Sequence, residues 1–326
     1  MRVVSQKSIG GPEQLCISDA PIPTPSEGEI LIKVRSTALN RADILQRKGK
    51  YPPPSGASHI LGLEFAGEVA SQVGPWKVGD KVMGIVSGGS YAEYLTTHPD
   101  HLMSIPQHLS WDEAAGIPEA FLTAYQTLKL IGKCSKGDSV LIHAGGSGVG
   151  AAAIQLAKKF GAKNIIVTAG SSEKIERCVA LGATKGINYK SEDFAAAVKN
   201  ETEGRGVDLI LDFIGAEYWQ KNLDSLAVDG RWILIGSMGG VKIKEASLAD
   251  ILQKRATIVG TTLRSRSFDY KKELVRNFQS ECGLWLNYGE LKPVLDSVFE
   301  LSEVSLAHER MEANKNFGKI ILKINS

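Results

Sequence analysis

Between residues 143 and 151 the chain reads His143-Ala144-Gly145-Gly146-Ser147-Gly148-Val149-Gly150-Ala151. Small residues at this spacing let backbone N–H groups close on an anion, and a helix start behind them favours negative charge. The flanks decide whether the turn is more than a tight corner. Ser139-Val140-Leu141-Ile142-His143 is a short, nearly continuous apolar run, as expected of a strand buried on both faces. Ala151 to Phe160 is a strong helix former, closed by Gly161. Strand, glycine turn and helix in succession give the context in which a dinucleotide fingerprint is credible. Two registers fit. Gly146-x-Gly148-x-x-Ala151 satisfies the general pattern, and Gly145-x-Ser147-x-x-Gly150 fits the strand end better. In either, Gly145, Gly146, Ser147, Gly148 and Val149 face a pyrophosphate.

A fold that binds NAD usually carries Asp or Glu about 20 residues beyond the turn, where it holds the ribose 2′-hydroxyl. Here the second strand, Asn164 to Thr168, leads instead into Gly170-Ser171. Lys174 and Arg177 follow about one helical turn apart, Tyr189 ends the third strand, and the one acid, Glu173, can point outward. Cations and hydroxyls suit a 2′-phosphate, so NADPH is expected over NADH. The competing reading makes Lys174 and Arg177 a solvated helix face. Later strand ends lie above the same sheet edge and line the nicotinamide half: Phe213-Ile214-Gly215, Gly236-Ser237-Met238 and Leu263-Arg264. A solvated or dimer-edge role for Arg264 is equally open.

The elements that must position these residues follow from periodicity. After the glycine turn, apolar strands alternate with helices through Gly186-Ile187-Asn188-Tyr189, Val207 to Asp212, Arg231 to Ile235 and Thr257 to Gly260. That is the pattern of a doubly wound parallel sheet. The first ~120 residues read instead as short strands between turns and proline-rich loops, with Glu29 to Val34 and Gly67 to Ala70 among them. The tail resumes with a helix near Ser302 to Ala313 and a strand from Lys319 to Leu322. The expected α/β architecture has a β-rich domain at 1–121 and 265–326, interrupted by a nucleotide-binding domain at 122–264.

Composition narrows the class. Lys and Arg total 38 against 36 Asp and Glu in 326 residues, a net charge of +2 that gives no general reason to expect nucleic acid. Four scattered cysteines without a C-x-x-C pair read as reduced thiols. The amino terminus lacks the apolar core of a signal peptide, and glycines break the uncharged run from Ser139 to Ala157. A soluble, cytoplasmic protein with no membrane partner is expected.

Taken with four ordered stretches, the chain resembles the zinc-free, zeta-crystallin-like quinone oxidoreductase branch of the medium-chain dehydrogenase/reductases. The stretches are Ala38 to Asp43, Leu61 to Val69, Val78 to Val82 and His143 to Gly150. The closing Met311 to Lys319 is similar to tumour-suppressor-inducible members of that branch. The resemblance implies a GroES-like catalytic domain beside a Rossmann domain, an active site in the cleft between them, and a homodimer. Zinc-dependent relatives carry cysteine at the position of Asn40 and histidine at that of Leu63, ahead of the retained Glu64; Asn and Leu supply neither thiolate nor imidazole. His98-x-x-His101 has a suggestive spacing but lies in a polar loop and is read as solvated, so no metal is expected.

Without a strong Lewis acid, ordinary alcohol oxidation is disfavoured, and acceptors that take a hydride readily are favoured. The family positions nearest the chemistry fall on Asn40, Tyr51 and Ser147, with Asp43 as a structural cap. Asn40 can donate its amide to an acceptor oxygen. Tyr51 can donate a hydrogen bond or proton, or simply pack on Pro52-Pro53-Pro54. Ser147 is expected to turn its backbone N–H to the cofactor. Thr123 matches a contact on the nicotinamide side, and Asn314 and Lys319 are further family matches. The expected activity is NADPH-dependent reduction of a small quinone. Reduction of enals or enoyl thioesters, and a non-catalytic crystallin-like or RNA-binding NADPH protein, are the rivals. Thr257 to Thr262 is the expected edge strand for pairing across a two-fold axis.

Overall fold

The computed structural model describes residues 1–325. They divide into two compact units, Met1–Leu122 with the segment from Leu263 onward, and Thr123–Thr262.

In the second unit, six strands pair in parallel throughout. Their spatial order is Lys185–Asn188, Asn164–Ala169, Ser139–Ile142, Val207–Asp212, Leu226–Leu234, Thr257–Gly260. Numbered along the chain this is 3-2-1-4-5-6, the Rossmann order, with the reversal between Ser139–Ile142 and Val207–Asp212. The apolar runs are buried as their continuity demands: Leu141, Ile166, Ile187, Ile210 and Trp232 form one core with Phe194 and Leu223. Thr257–Gly260 lies at the sheet edge.

The first unit is built on a seven-stranded, mostly antiparallel sheet, joined by the separate hairpin Arg2–Gln6 and Leu15–Asp19. Its longest strand, Ile30–Ala38, alternates as a half-buried strand should, with Ile30, Ile32 and Val34 fully buried. It pairs with Glu64–Val69 on one edge and shares the other between Tyr94–Thr97 and the carboxyl-terminal Lys319–Lys323. The tail strand in turn pairs in parallel with Leu295–Glu300. These are a Rossmann-like α/β unit, which the strand–helix alternation predicts, and a β unit of the GroES-like kind that the resemblance implies.

Several boundaries differ from expectation. Leu122, Leu263 and Arg264 belong to the first unit, because Arg264 is buried there against Gln46, Tyr51 and Ser87. The strand expected at Gly67 to Ala70 begins at Glu64, and Tyr189 lies just past its strand. The 20-residue helix Phe268–Asn287 has no counterpart in the sequence reading; it buries Leu274, Val275, Phe278, Cys282 and Leu286.

The helix Arg41–Arg47 is tied down by Asp43. Its carboxylate accepts from the Asn40 N–H at 2.7 Å, the Gly62 N–H at 3.0 Å and the Tyr91 hydroxyl at 3.2 Å. Burial pushes this carboxyl up to about 6 against those donors. Asp43→Ala strands two backbone donors and a phenol in the interior. It is expected to destabilise the protein by about 3 kcal/mol, read as a lower denaturant midpoint at unchanged slope.

Candidate active site

The turn after Ser139–Ile142 is held by its own backbone. Ala144 takes a left-handed φ of 50°, the Gly145 N–H donates to Thr168 O at 3.0 Å, and the Ser147 N–H donates to Ala144 O at 2.9 Å. The last bond corrects an expectation, since the Ser147 N–H faces into the turn and not outward. Ser147 instead caps Gly148–Lys159, its Oγ accepting from the Gly150 N–H at 3.0 Å. Gly148 and Val149, in the first helical turn, keep N–H groups without intrahelical partners, the usual anion donors of such a turn. A Cβ on Gly150 would sit 2.9 Å from the Gly145 Cα and nearer still to Ala144 O. Gly150 is therefore the close-packing glycine, which selects the register Gly145-x-Ser147-x-x-Gly150 over the one ending at Ala151.

A buried polar chain sets the sheet edge beside this turn. Thr168 Oγ1 donates to His143 Nδ1 at 2.9 Å, His143 Nε2–H donates to Asn222 Oδ1 at 2.7 Å, and Asn222 Nδ2 donates to Asp212 Oδ2 at 3.1 Å. Burial pushes the His143 imidazole down, and this single tautomer satisfies every group in the chain. Asp212 also accepts from the Trp232 indole and from the N–H groups of Ile214 and Gly215. The loop Phe213-Ile214-Gly215 is thus locked, and it is zipped to the next loop by Met238 N–H on Phe213 O and Gly239 N–H on Ile214 O. Gly236, Ser237 and Met238 stand beside it, with Met238 exposed. Thr123, nearly buried, accepts on its carbonyl from the Thr127 hydroxyl where the helix Pro118–Tyr125 passes into a π-helical turn.

At the neighbouring strand end, pairing of Asn188 with Ala169 brings Tyr189 over Gly170. A Cβ on Gly170 would meet Tyr189 Oη at 2.8 Å and Lys190 Cε at 3.3 Å. Ser171 caps Ser172–Leu181 by accepting from the Lys174 N–H at 3.3 Å, and Glu173 is exposed. Lys174 and Arg177 are half-buried on that helix. Lys190 was not singled out in the sequence. Its only signal there is its place directly after Tyr189.

The first unit carries the other candidates. Lys319 is buried, and its ammonium donates to Leu39 O at 2.7 Å, Asn40 Oδ1 at 2.7 Å and Glu64 Oε1 at 2.6 Å. The Asn40 amide donates to Glu64 Oε1 at 2.9 Å, leaving its second hydrogen on a long 3.4 Å contact to Ala38 O. Asn40 is therefore turned by Lys319 and only weakly able to donate elsewhere. The Asn40 and Glu64 oxygens are engaged by a lysine, and among the described residues no thiolate or imidazole stands with them, so these residues do not fit a catalytic zinc. Arg264 is 4% exposed, which removes the solvated reading. Its guanidinium donates to Ser87 O and Gln46 Oε1 and lies 5.5 Å from the centre of the Tyr51 ring. Asn314, with φ 53°, accepts from Arg41 at 2.8 Å. Leu263, Arg264 and Asn314 thus belong to the first unit, whereas the other cofactor candidates lie in the second. His98 and His101 pack on Phe268 with ring centres 4.2 and 5.1 Å away, contrary to the solvated loop expected; burial pushes His101 down to about 4.

Two family models match the chain: an alcohol dehydrogenase GroES-like domain over residues 26–107 and a zinc-binding dehydrogenase domain over 148–280. A quinone oxidoreductase of Lama guanicoe is 32% identical over 99% of this chain and 97% of its own length. The solved quinone oxidoreductase of Escherichia coli, complexed with NADPH, superposes with a TM-score of 0.89 at 28% identity, covering 99% of this chain and 100% of that one. The JamJ enoyl reductase, solved in its apo form, gives 0.87 at 28% identity with 99% of each chain covered. The matched domains, the full-length identity and the Rossmann order of the second sheet agree, and the chain belongs to the medium-chain dehydrogenase/reductase family, in its quinone oxidoreductase branch.

Proposed function

We propose that the protein is an NADPH-dependent, zinc-independent reductase of small quinones. The observation that carries the cofactor half is the placing of Tyr189 and Lys190 over Gly170, next to the Ser171-capped helix that bears Lys174, one strand away from the glycine turn. Hydroxyls and ammonium groups stabilise a 2′-phosphate, and no carboxylate stands where a ribose-binding acid would compete. Gly148 and Val149 receive the pyrophosphate. The loops at Phe213 to Gly215 and Gly236 to Met238 fix the nicotinamide end, with Thr123 on its carboxamide side. The bound dinucleotide supplies a hydride.

The acceptor half rests on what the Asn40 cluster lacks. With Lys319 holding Asn40 and Glu64, the site offers no Lewis acid for a carbonyl, so the acceptor must be easily reduced. Tyr51, its ring steadied by Arg264, is the donor toward the acceptor oxygen. Likeness to an enoyl reductase favours a second reading, reduction of an activated double bond at the same residues. Initial rates with a quinone and with an α,β-unsaturated carbonyl, measured anaerobically, separate the two. The quinone is expected to react faster, and turnover is expected to survive a chelator. The protein is further proposed to be cytoplasmic and to dimerise through its edge strand Thr257–Gly260; a monomer on size-exclusion chromatography would remove the second point.

Lys174→Ala is expected to raise the KM for NADPH about tenfold, as for a lost charge-assisted hydrogen bond, and to leave that for NADH unchanged. Equal losses for both cofactors would count against a phosphate role. Tyr51→Phe is expected to lower kcat about tenfold or more at unchanged cofactor affinity. Unchanged turnover would make Tyr51 a packing residue.

A further inference from the structure

The parallel sheet of the second unit reverses its order beside Ser139–Ile142, and His143 is the first residue past that strand. Its side chain is fully buried, with the rings of Phe194 and Tyr218 packed on it at centre distances of 4.9 Å. Its two nitrogens face partners tied to the strands on either side. Nδ1 lies 2.9 Å from Thr168 Oγ1, in the strand Asn164–Ala169 that runs on to Gly170. Nε2 lies 2.7 Å from Asn222 Oδ1, and Asn222 holds Asp212 at the head of the Phe213 loop. Thr168 also takes the Gly145 N–H on its carbonyl, so one residue serves both the ring and the glycine turn.

The direction of each bond is dictated from one end of the chain. The Asp212 carboxylate offers only acceptors, and the Trp232 indole and the N–H groups of Ile214 and Gly215 share it with Asn222. The Asn222 amide must therefore turn its NH2 to Asp212 and its oxygen to the ring. Nε2 then has to carry the hydrogen, Nδ1 is left as an acceptor, and the Thr168 hydroxyl has to donate. A histidine supplies both ends at once. Asparagine reaches only as far as the Nδ1 position, and glutamine extends to Nε2.

We propose that His143 is a positioning residue that couples the two halves of the dinucleotide site. Its Nδ1 arm sets the glycine turn and the adenosine side through Thr168, and its Nε2 arm sets the nicotinamide side through Asn222 and Asp212. This rests on the NADPH-dependent reductase reading. Being buried, His143 acts only through these partners. A network with every member satisfied fixes geometry closely, and cutting one bond leaves a buried group unpaired.

The two arms can be cut one at a time. His143→Gln keeps the donor for Asn222 and drops the acceptor for Thr168; it is expected to raise the Kd for NADPH about tenfold with kcat at saturation within about twofold of wild type. His143→Asn keeps the acceptor for Thr168 and drops the donor for Asn222; it is expected to lower kcat about tenfold with the Kd within about twofold. Thr168→Val removes from the other side the bond that H143Q removes. It is expected to match H143Q, and the double variant to lose no more than either single one. General loosening of the fold moves Kd and kcat together in all of them, so a crossed pattern separates positioning from plain stability. Nitrogen NMR of the isotope-labelled wild type is expected to show His143 neutral with its hydrogen on Nε2 between about pH 6 and 8, because burial pushes the ring down. A charged ring, the Nδ1–H tautomer, the same parameter lost in H143Q and H143N, or additive losses in the double variant each overturn the coupling while NADPH still binds. Wild-type protein that does not bind NADPH overturns the cofactor reading and the coupling with it. Should neither His143 variant fold, T168V decides: a raised Kd supports the Nδ1 arm, and an unchanged Kd overturns it.

Discussion

A lysine ammonium buried among three oxygens organises the first unit. Lys319 comes from the last strand, Leu39 and Asn40 from the end of the longest one, and Glu64 from the start of its neighbour. A buried cation is tolerable only when its donors are satisfied and its charge is matched, and here both conditions are met by a single carboxylate and two neutral oxygens. The same bonds orient the Asn40 amide and leave Glu64 free to take the N–H that anchors Pro118–Tyr125. Removing the ammonium would release three elements together.

The second unit reaches comparable rigidity by a different route. Its glycine turn is held by Ala144 in a left-handed conformation and by the Ser147 cap, and the His143–Asn222–Asp212 chain ties the turn to the Phe213 loop through one tautomer. The glycine turn and the Phe213 loop therefore share a buried support, although Gly148 and Phe213 are 65 positions apart in sequence. A fully satisfied network of this kind positions groups more finely than packing alone.

What could be read from sequence follows this division. The parallel strands were legible because burial on both faces leaves an apolar run, Val140-Leu141-Ile142 or Leu209-Ile210-Leu211, that few other elements produce. The antiparallel unit is less legible, since its strands are interrupted by glycines and carry buried polar residues; the strand expected at Gly67 to Ala70 starts earlier, at the buried Glu64, which does not read as a core position. The long helix Phe268–Asn287 hides its core stripe among lysines and glutamates. Local chemistry such as the Ser171 cap was visible. Lys190 beside Gly170 and Glu119 against Glu64 were not, because sheet pairing and long-range hydrogen bonds, absent from any local spacing, bring them together. The Ser147 N–H illustrates the opposite error, in which a group near the expected ligand is consumed by the turn that places it there.

The wedge position of Lys319–Lys323, between Leu295–Glu300 and Ile30–Ala38, carries a consequence for biosynthesis. Residues 123–262 leave the ribosome with every strand of their sheet already made, so the dinucleotide cradle is able to assemble while translation continues. The first unit's sheet has to wait with a gap in it until the final segment emerges. A nascent chain stalled before that point would carry a finished glycine turn together with an Asn40 side chain held by Glu64 alone, and quality control acting on exposed sheet edges would meet it in that state.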